Sequence, residues 1–212
     1  MTPLTHAELA KVVADDLLEG WHVNLGIGLP TSVADAIPAG REVILHSENG
    51  ILGMGPRPAP GKAQPDFLIN AGKQPVTLLE GGSYFDHATS FAIVRGGHLD
   101  AAVLGAFQVS EAGDLANWSL GDKQGVPGVG GAMDLAAGAR RVFVMMEHVT
   151  RNGRPKIVTE CTLPLTARGA VHRIYTDHAV IDVIDDRLIV RRIFGTDFEG
   201  LQSITAAPLH KD

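Results

Sequence analysis

The chain has 212 residues, of which 45% are hydrophobic and 20% are charged, and its formal net charge is −6. This composition is ordinary for a globular protein and excludes a disordered or low-complexity chain. The acidic balance argues against nucleic acid or an anionic membrane as a partner, and no apolar stretch reaches the ~18 residues of a membrane span. The single cysteine, Cys161, excludes internal disulfides. No export signal is visible at the start, so we expect a cytoplasmic protein.

The first half of the chain predicts alternating helices and strands. Thr5 and Glu8 have the spacing of a capping box, and apolar residues from Leu9 to Leu17 recur on one helical face, so a helix is expected to end near Gly20. The remaining predictions are strands over 22–25, 42–45 and 76–79, helices over 31–37 and 86–94, and no regular element in the proline-rich stretch 53–65.

The second half becomes richer in strands. The nearly continuous apolar run over 99–109 is typical of a strand buried on both faces. The other predictions are a helix over 132–137, strands over 141–146, 171–175, 179–184 and 188–193, a hairpin turn at Asp185-Asp186, and a closing helix after Thr196. With no internal repeat and no linker, residues 1–212 are interpreted as one α/β domain with a β-rich C-terminal part.

The strand over 42–45 leads into the most informative local segment, His46-Ser47-Glu48-Asn49-Gly50. In open α/β sheets, ligands collect at the carboxyl ends of strands, so a carboxylate held there can act as a nucleophile or base. The alternative is a solvated loop acid that caps a turn. From the residues alone, this alternative stays open and is the commoner one.

Two glycine-rich loops precede predicted helices. Gly26-Ile-Gly28 follows a strand, but Thr31 stands where the third glycine of a dinucleotide-binding turn is required, so nicotinamide binding is not indicated. Gly128, Gly130 and Gly131 offer a second nest of backbone N–H groups. The backbone N–H groups after the first loop could still hold phosphate or carboxylate, and the second loop is equally compatible with close backbone packing and no ligand.

Other chemistry-bearing residues do not form recognisable motifs. The nine histidines have no metal-ligand spacing, so we expect them to be structural or exposed, with no metal site. Cys161 lies in a β-rich segment and is interpreted as a small hydrophobic residue. The segment Ser83-Tyr-Phe-Asp86-His87 contains the residue types of a hydrolase triad, but no G-x-S-x-G motif supports one.

Several longer segments, taken together, resemble a known family. The segment around Glu48, continued as Ile51-Leu-Gly-Met-Gly-Pro56, is similar to the active-site signature of family I CoA-transferases, specifically of their B (beta) subunits. Further segments that resemble this family, in the same order, are Val23–Pro30, Leu68–Lys73, Arg95–Asp100, Gly113–Trp118, Gly128–Asp134 and Cys161–Leu165. The similarity is greatest to the beta subunits of succinyl-CoA:3-oxoacid transferases, and segments 125–136 and 173–177 favour the 3-oxoadipate branch.

The resemblance implies a fold, a partner and a reaction. The expected fold is an open, mostly parallel sheet flanked by helices, of the type shared with sugar-phosphate isomerases. The expected partner is a separate A subunit, in a heterodimer or heterotetramer. The expected reaction transfers CoA from succinyl-CoA to 3-oxoadipate or acetoacetate through a glutamyl-CoA thioester, with no metal or redox cofactor. Short-chain fatty acids such as acetate or butyrate are the alternative acceptors within the family.

The resemblance also implies roles for individual residues. Glu48 is expected to be the nucleophile that carries CoA. Oxyanion or CoA contacts are expected from Asn24, Gly28, Asn49, Lys73, Gly128, Gly130 and Gly131. Lys73 is expected to neutralise a substrate carboxylate or a CoA phosphate.

Two competing functions come from other classes. The same broad fold serves as a sugar-phosphate-sensing module in regulators, but this chain contains no basic helix-turn-helix. A sugar-phosphate isomerase would need a base and an anion site, and it would not need the segment Ser47-Glu48-Asn49-Gly50.

Overall fold

The computed structural model describes residues 2–59, 61–62, 68–121 and 128–211. The helices are α1 (His6–Asp16), α2 (His87–Arg95), α3 (Ala132–Gly138) and α4 (Phe198–Ser203), with a 3-10 helix at Leu29–Ala36. The strands are β1 (His22–Leu25), β2 (Ile44–Ser47), β3 (Ile51–Met54), β4 (Leu78–Tyr84), β5 (Ala101–Leu104), β6 (Gln108–Ser110), β7 (Leu115–Ala116), β8 (Val142–Met146), β9 (Ile157–Val158), β10 (Val171–Thr176), β11 (Ala179–Ile184), β12 (Arg187–Ile193) and β13 (Leu209–Lys211).

Most strands belong to one mixed sheet with the order β13-β12-β11-β10-β8-β5-β1-β2-β3-β4. Its centre, from β10 through β8, β5 and β1 to β2, is parallel. The pairs β10–β11, β11–β12, β2–β3 and β3–β4 are antiparallel. The expected open, mostly parallel sheet is therefore confirmed, and the β-rich C-terminal strands continue this same sheet. A second, three-stranded sheet has the order β7-β6-β9.

The large sheet separates two hydrophobic clusters because successive strand side chains point to opposite faces. In β8, Phe143 and Met145 pack on the face that is covered by α1. Val142 and Val144 pack on the opposite face, with residues of α2 and α3. The central strands are therefore apolar on both faces, as is typical of a buried parallel sheet.

Helix α1 begins as predicted. Thr5 and Glu8 form the complete capping box, in which the Thr5 side chain accepts from the Glu8 N–H and Glu8 accepts from the Thr5 N–H. At its other end, Asp16 accepts hydrogen bonds from Tyr175 Oη (2.9 Å) and Arg173 Nη1 (3.0 Å). These two contacts attach the last turn of α1 to β10.

Several predicted boundaries differ from the structure. The run over 99–109 is two strands in two different sheets, because Phe107 donates its N–H to Ala116 O and the chain leaves the large sheet after β5. The helix predicted over 31–37 is a 3-10 helix that starts earlier, after Gly28 at φ +92°. β2 and β4 lie further along the chain than predicted.

The stretch 53–65, predicted to lack regular structure, contributes its first two residues to β3. Residues 60 and 63–65 of this stretch, and 125–127 of the glycine-rich loop, lie outside the described residues. The predicted hairpin at Asp185-Asp186 is confirmed, with φ angles of +48° and +56° that suit a tight turn between antiparallel strands.

Candidate active site

Glu48 is the first residue after β2, at the carboxyl end of the outermost strand of the parallel centre. A tight turn over 48–50 reverses the chain into β3, with Ser47 paired to Ile51. Gly50 closes this turn by donating its N–H to Ser47 O at 2.9 Å. Its φ is +110°, and a Cβ here would lie 2.0 Å from Phe85 O, so only glycine fits.

The Glu48 side chain extends toward the loop that precedes α3. Its Oε2 lies 2.6 Å from the position that a Cβ on Gly131 would occupy, and the Phe91 ring lies 2.7 Å from the same position. The missing side chain at Gly131 therefore gives the Glu48 carboxylate room to lie directly against the loop backbone. Two glycine-containing segments that are distant in sequence, 46–50 and 128–131, meet at this point.

The half-buried Glu48 carboxyl has a pKa above its usual value, mainly because burial disfavours the charged form. His87 opposes this rise, and Asp134 adds to it. Asp134 is bound to Arg95 at 2.7 Å, which lowers the pKa of Asp134 and keeps it ionised. A carboxylate with a raised pKa and little hydration is a stronger nucleophile than an exposed glutamate.

Glu48 lines a cavity of about 550 Å³ that is large enough for a small organic acid. Gly128, Gly130 and Gly131 line the same cavity as Glu48, and their N–H groups make no hydrogen bond to a described residue. The remaining wall includes Gly26, Ile27, Gly105, Phe107, Trp118, Met145, Met146, Glu147 and Lys156.

Behind Glu48, His46 anchors the end of β2. Asn24 Nδ2 lies 3.3 Å from His46 O and 3.0 Å from His46 Nδ1, so it donates to both. Nδ1 is therefore the acceptor nitrogen, and Nε2 carries the proton that points to Ser90 Oγ at 3.0 Å. Burial lowers the pKa of His46 to about 4, so the ring stays neutral and ties β2 to β1 and α2.

The structure brings only some of the predicted site residues together. Glu48, Gly128, Gly130 and Gly131 share the cavity, whereas Asn24, Gly28, Asn49 and Lys73 do not line it. Asn24 is buried and bonded to His46, and Asn49 donates to Ile69 O at 2.8 Å. Gly28 starts the 3-10 helix, and Lys73 is an exposed turn residue at φ +60°.

Lys156 is missed by sequence reasoning, whereas His46 is not. His46 belongs to the histidines expected to be structural or exposed, and it is buried with structural hydrogen bonds to Asn24 and Ser90. Lys156 belongs to no motif, and only its position before the apolar pair Ile157-Val158 could have indicated a side chain facing away from the core.

The other motifs have structural roles. Asp86 caps α2 by accepting from the Thr89 N–H at 2.9 Å. Cys161 is half-buried, and burial raises the pKa of its thiol to about 11. Within the described ranges, no three His, Cys, Asp or Glu side chains are grouped as metal ligands would be.

The model of the family described as "Coenzyme A transferase" matches residues 6–192. The chain is 59% identical over 209 residues to the B subunit of 3-oxoadipate CoA-transferase from Pseudomonas putida, covering 98% of this chain and 97% of that protein. It is 51% identical over 185 residues to the B subunit of the probable succinyl-CoA:3-ketoacid coenzyme A transferase from Bacillus subtilis, covering 87% of this chain and 85% of that protein.

One solved structure with the same fold is an acyl-CoA transferase apoenzyme from Escherichia coli, with a TM-score of 0.75 and 17% identity. The match covers 99% of this chain but only 42% of that longer chain. The family model and the two relatives show that the chain belongs to the coenzyme A transferase family. Within this family it is an enzyme subunit of the B type, as the resemblance predicted.

No helix among residues 2–59, 61–62, 68–121 and 128–211 has the length and apolar character needed to span a membrane.

Proposed function

We propose that the chain, with an A-type partner subunit, transfers CoA from succinyl-CoA to 3-oxoadipate, or to the shorter 3-oxo acid acetoacetate. The observation that carries this proposal is the Glu48 carboxylate lying against Gly131 inside the cavity. The names of the Pseudomonas and Bacillus relatives supply the substrate class. The cytoplasm, where succinyl-CoA is available, is the proposed location.

The reaction begins when a Glu48 carboxylate oxygen attacks the thioester carbonyl of succinyl-CoA. The tetrahedral oxyanion collapses, the carbon–sulfur bond breaks, and a mixed anhydride and CoA thiolate result. The thiolate then attacks Glu48 Cδ and releases succinate, which leaves a γ-glutamyl thioester with CoA. A thiol has a pKa of only ~8.5, so the thiolate leaves without a dedicated general acid.

The acceptor acid completes the cycle by the same two steps in reverse. Its carboxylate attacks Glu48 Cδ and releases CoA thiolate, and the thiolate attacks the acceptor carbonyl of the new anhydride. The products are the acceptor's CoA thioester and free Glu48 carboxylate. No metal or redox group enters this sequence.

Each tetrahedral intermediate carries an oxyanion that fixed N–H donors can stabilise. The N–H groups of Gly128, Gly130 and Gly131 are the proposed donors, because all three glycines line the cavity that contains Glu48, Gly131 lies against the Glu48 carboxylate, and none of the three N–H groups has a described acceptor. Loss of one such donor in an acyl-transfer site costs ~3–4 kcal/mol. Asn49 can contribute only its second amide hydrogen, since Ile69 O takes the first.

The test uses the chain reconstituted with its A-type partner. Succinyl-CoA without acceptor should add one CoA to this chain, and peptide mass spectrometry should locate the adduct on Glu48. Borohydride should then convert the Glu48 thioester to a primary alcohol and inactivate the enzyme only after exposure to the donor. An adduct on Cys161, Ser47 or Glu80 would contradict the proposal.

The preferred acceptor acid is identified from transfer rates that are measured with different acids on the same complex. The proposal requires 3-oxoadipate or acetoacetate to give a higher kcat/KM than acetate or butyrate. A preference for acetate or butyrate would instead assign the fatty-acid alternative, with the same chemistry at Glu48.

A further inference from the structure

Lys156 lies on the wall of the cavity that contains Glu48. Its backbone is held on both sides, because its N–H donates to His148 O at 3.2 Å and its carbonyl accepts from Val109 N at 3.0 Å. The next residue, Ile157, is fully buried in the hydrophobic cluster beneath. Side chains alternate along an extended chain, so Lys156 is directed away from that cluster.

The Lys156 ammonium has no close partner among the described residues. No hydrogen bond from Nζ is formed there, and no carboxylate oxygen lies close enough to form an ion pair. Glu147 lines the same wall, but its nearest basic partner is His6 Nε2 at 3.4 Å. Glu147 and Asp177 act on Lys156 only at longer range, and burial still lowers the pKa of Lys156.

A half-buried ammonium without a counterion leaves space for an external anion. The cavity wall holds two acidic residues, Glu48 and Glu147, and its only described basic residues are Lys156 and His6. A carboxylic acid that enters the cavity as its anion needs a positive charge that is not already paired. Lys156 and Glu48 line one cavity of about 550 Å³, so an acid that occupies this cavity meets the walls that carry both side chains.

We propose that Lys156 is a substrate-binding residue whose ammonium pairs with a carboxylate of the acid substrate. This inference rests on the proposed function, because it assumes that acids are exchanged at Glu48. The carboxylate is either the one that reacts or the remote one of a dicarboxylic acid. Either carboxylate would accept a charge-assisted hydrogen bond from the Lys156 ammonium. Steady-state kinetics with different acids can distinguish the two alternatives.

The main experiment compares Lys156→Met with Lys156→Arg in the reconstituted complex. Lys156→Met should raise KM for the acid acceptor by about 10- to 100-fold, as expected for loss of a hydrogen bond between charged groups, while Lys156→Arg restores much of the affinity. Arg154→Met is the matched control: it removes a positive charge two residues away, from an exposed side chain that does not line the cavity.

The choice of acid identifies the carboxylate. If Lys156 binds the reacting carboxylate, KM rises for acetoacetate and 3-oxoadipate alike. If it binds the remote carboxylate, KM rises for 3-oxoadipate and succinyl-CoA and not for acetoacetate. A KM within twofold of wild type for both acids would overturn the proposal. A wild-type complex that transfers no CoA would instead overturn the proposed function.

A second measurement uses the wild-type complex and does not depend on the folding of a variant. Reductive methylation of Lys156, followed by peptide mass spectrometry, should slow severalfold when succinate is present at saturating concentration. The exposed Lys62 provides the control and should be methylated at the same rate with and without succinate. Equal rates at Lys156 would also overturn the proposal.

Discussion

At the scale of single residues, we expect the site to depend on the presence and the length of the Glu48 side chain. Glu48→Ala should remove both the CoA adduct and turnover, because no other carboxylate in β2, β3 or their turn can replace it. Glu48→Asp should also fail, since shortening the side chain by about 1.5 Å exceeds the tolerance of a near-attack distance of ~3–3.5 Å. Intact-mass measurement and kcat test both variants. The exposed Glu160 provides the control, and Glu160→Ala should form the adduct normally.

Gly131 is the second residue on which the geometry depends. Gly131→Ala places a methyl group 2.6 Å from Glu48 Oε2 and 2.7 Å from Phe91 Cζ, so the carboxylate must move away from the loop. We expect kcat to fall about 100-fold or more, as for other small displacements of a reacting group. Gly128→Ala provides the comparison, because its methyl group meets open space and should cost much less. Equal losses in the two variants would show that the contact with Glu48 is unimportant.

At the scale of elements, two buried histidines join strands to helices. His46 connects β1, β2 and α2, and His148 contacts Thr176 at the end of β10 and Thr205 just after α4. Burial lowers the pKa of each to about 4, whereas an unfolded histidine titrates near 6.5. Below pH 6.5 the unfolded chain therefore binds more protons than the folded chain.

This difference predicts a loss of stability in acid. The free energy of unfolding should fall as the pH drops from about 6.5 to about 4, by up to about 3 kcal/mol for each histidine. The raised pKa of Glu48 has the opposite effect on stability, because the folded chain binds a proton at this carboxyl more readily than the unfolded chain does. Urea unfolding between pH 4 and pH 7.5 measures how the free energy of unfolding depends on pH. Replacement of the exposed His98 by Gln is the control and should leave this pH dependence unchanged. A flat profile over this range would contradict the assigned neutral rings.

The same elements explain what the sequence could predict. Local signals are enough for α1, whose capping box is formed by neighbouring residues, and for the turn at Asp185-Asp186. The apolar run over 99–109 could not reveal two strands, because its division depends on the pairing of Phe107 with Ala116. The position of Glu48 follows from its resemblance to a signature, but its contact with Gly131 depends on a fold that joins residues more than 80 positions apart. Asn24 is expected near the ligand, although its amide is bonded to His46.

At the scale of the whole molecule, the cavity that contains Glu48 is bordered by exposed apolar side chains. Ile27 is 62% exposed and Phe107 is 37% exposed, and both lie on the cavity wall. Met133, in the first turn of α3, is 51% exposed. Apolar groups in such positions are typical of a surface that another protein chain covers.

We therefore predict that the isolated chain is inactive and that activity appears on addition of the A-type subunit. An uncovered site leaves the activated acyl groups open to water, which would hydrolyse them before transfer. The check is the transfer rate of the rigorously purified chain, compared with the rate after titration with its partner. Full transfer activity in the chain alone would contradict the prediction.

The hairpin that carries Glu48 also limits which parts of the cavity can change in related chains that take a different acyl group. β2 and β3 are paired residue by residue across the turn, and β4 is paired to β3. One inserted residue in this turn would break the hydrogen bond from the Gly50 N–H to Ser47 O or displace Glu48 from Gly131. The length of this turn is therefore constrained beside Glu48, the proposed nucleophile, and we expect a different acyl group to be accommodated by changes in the other walls of the cavity.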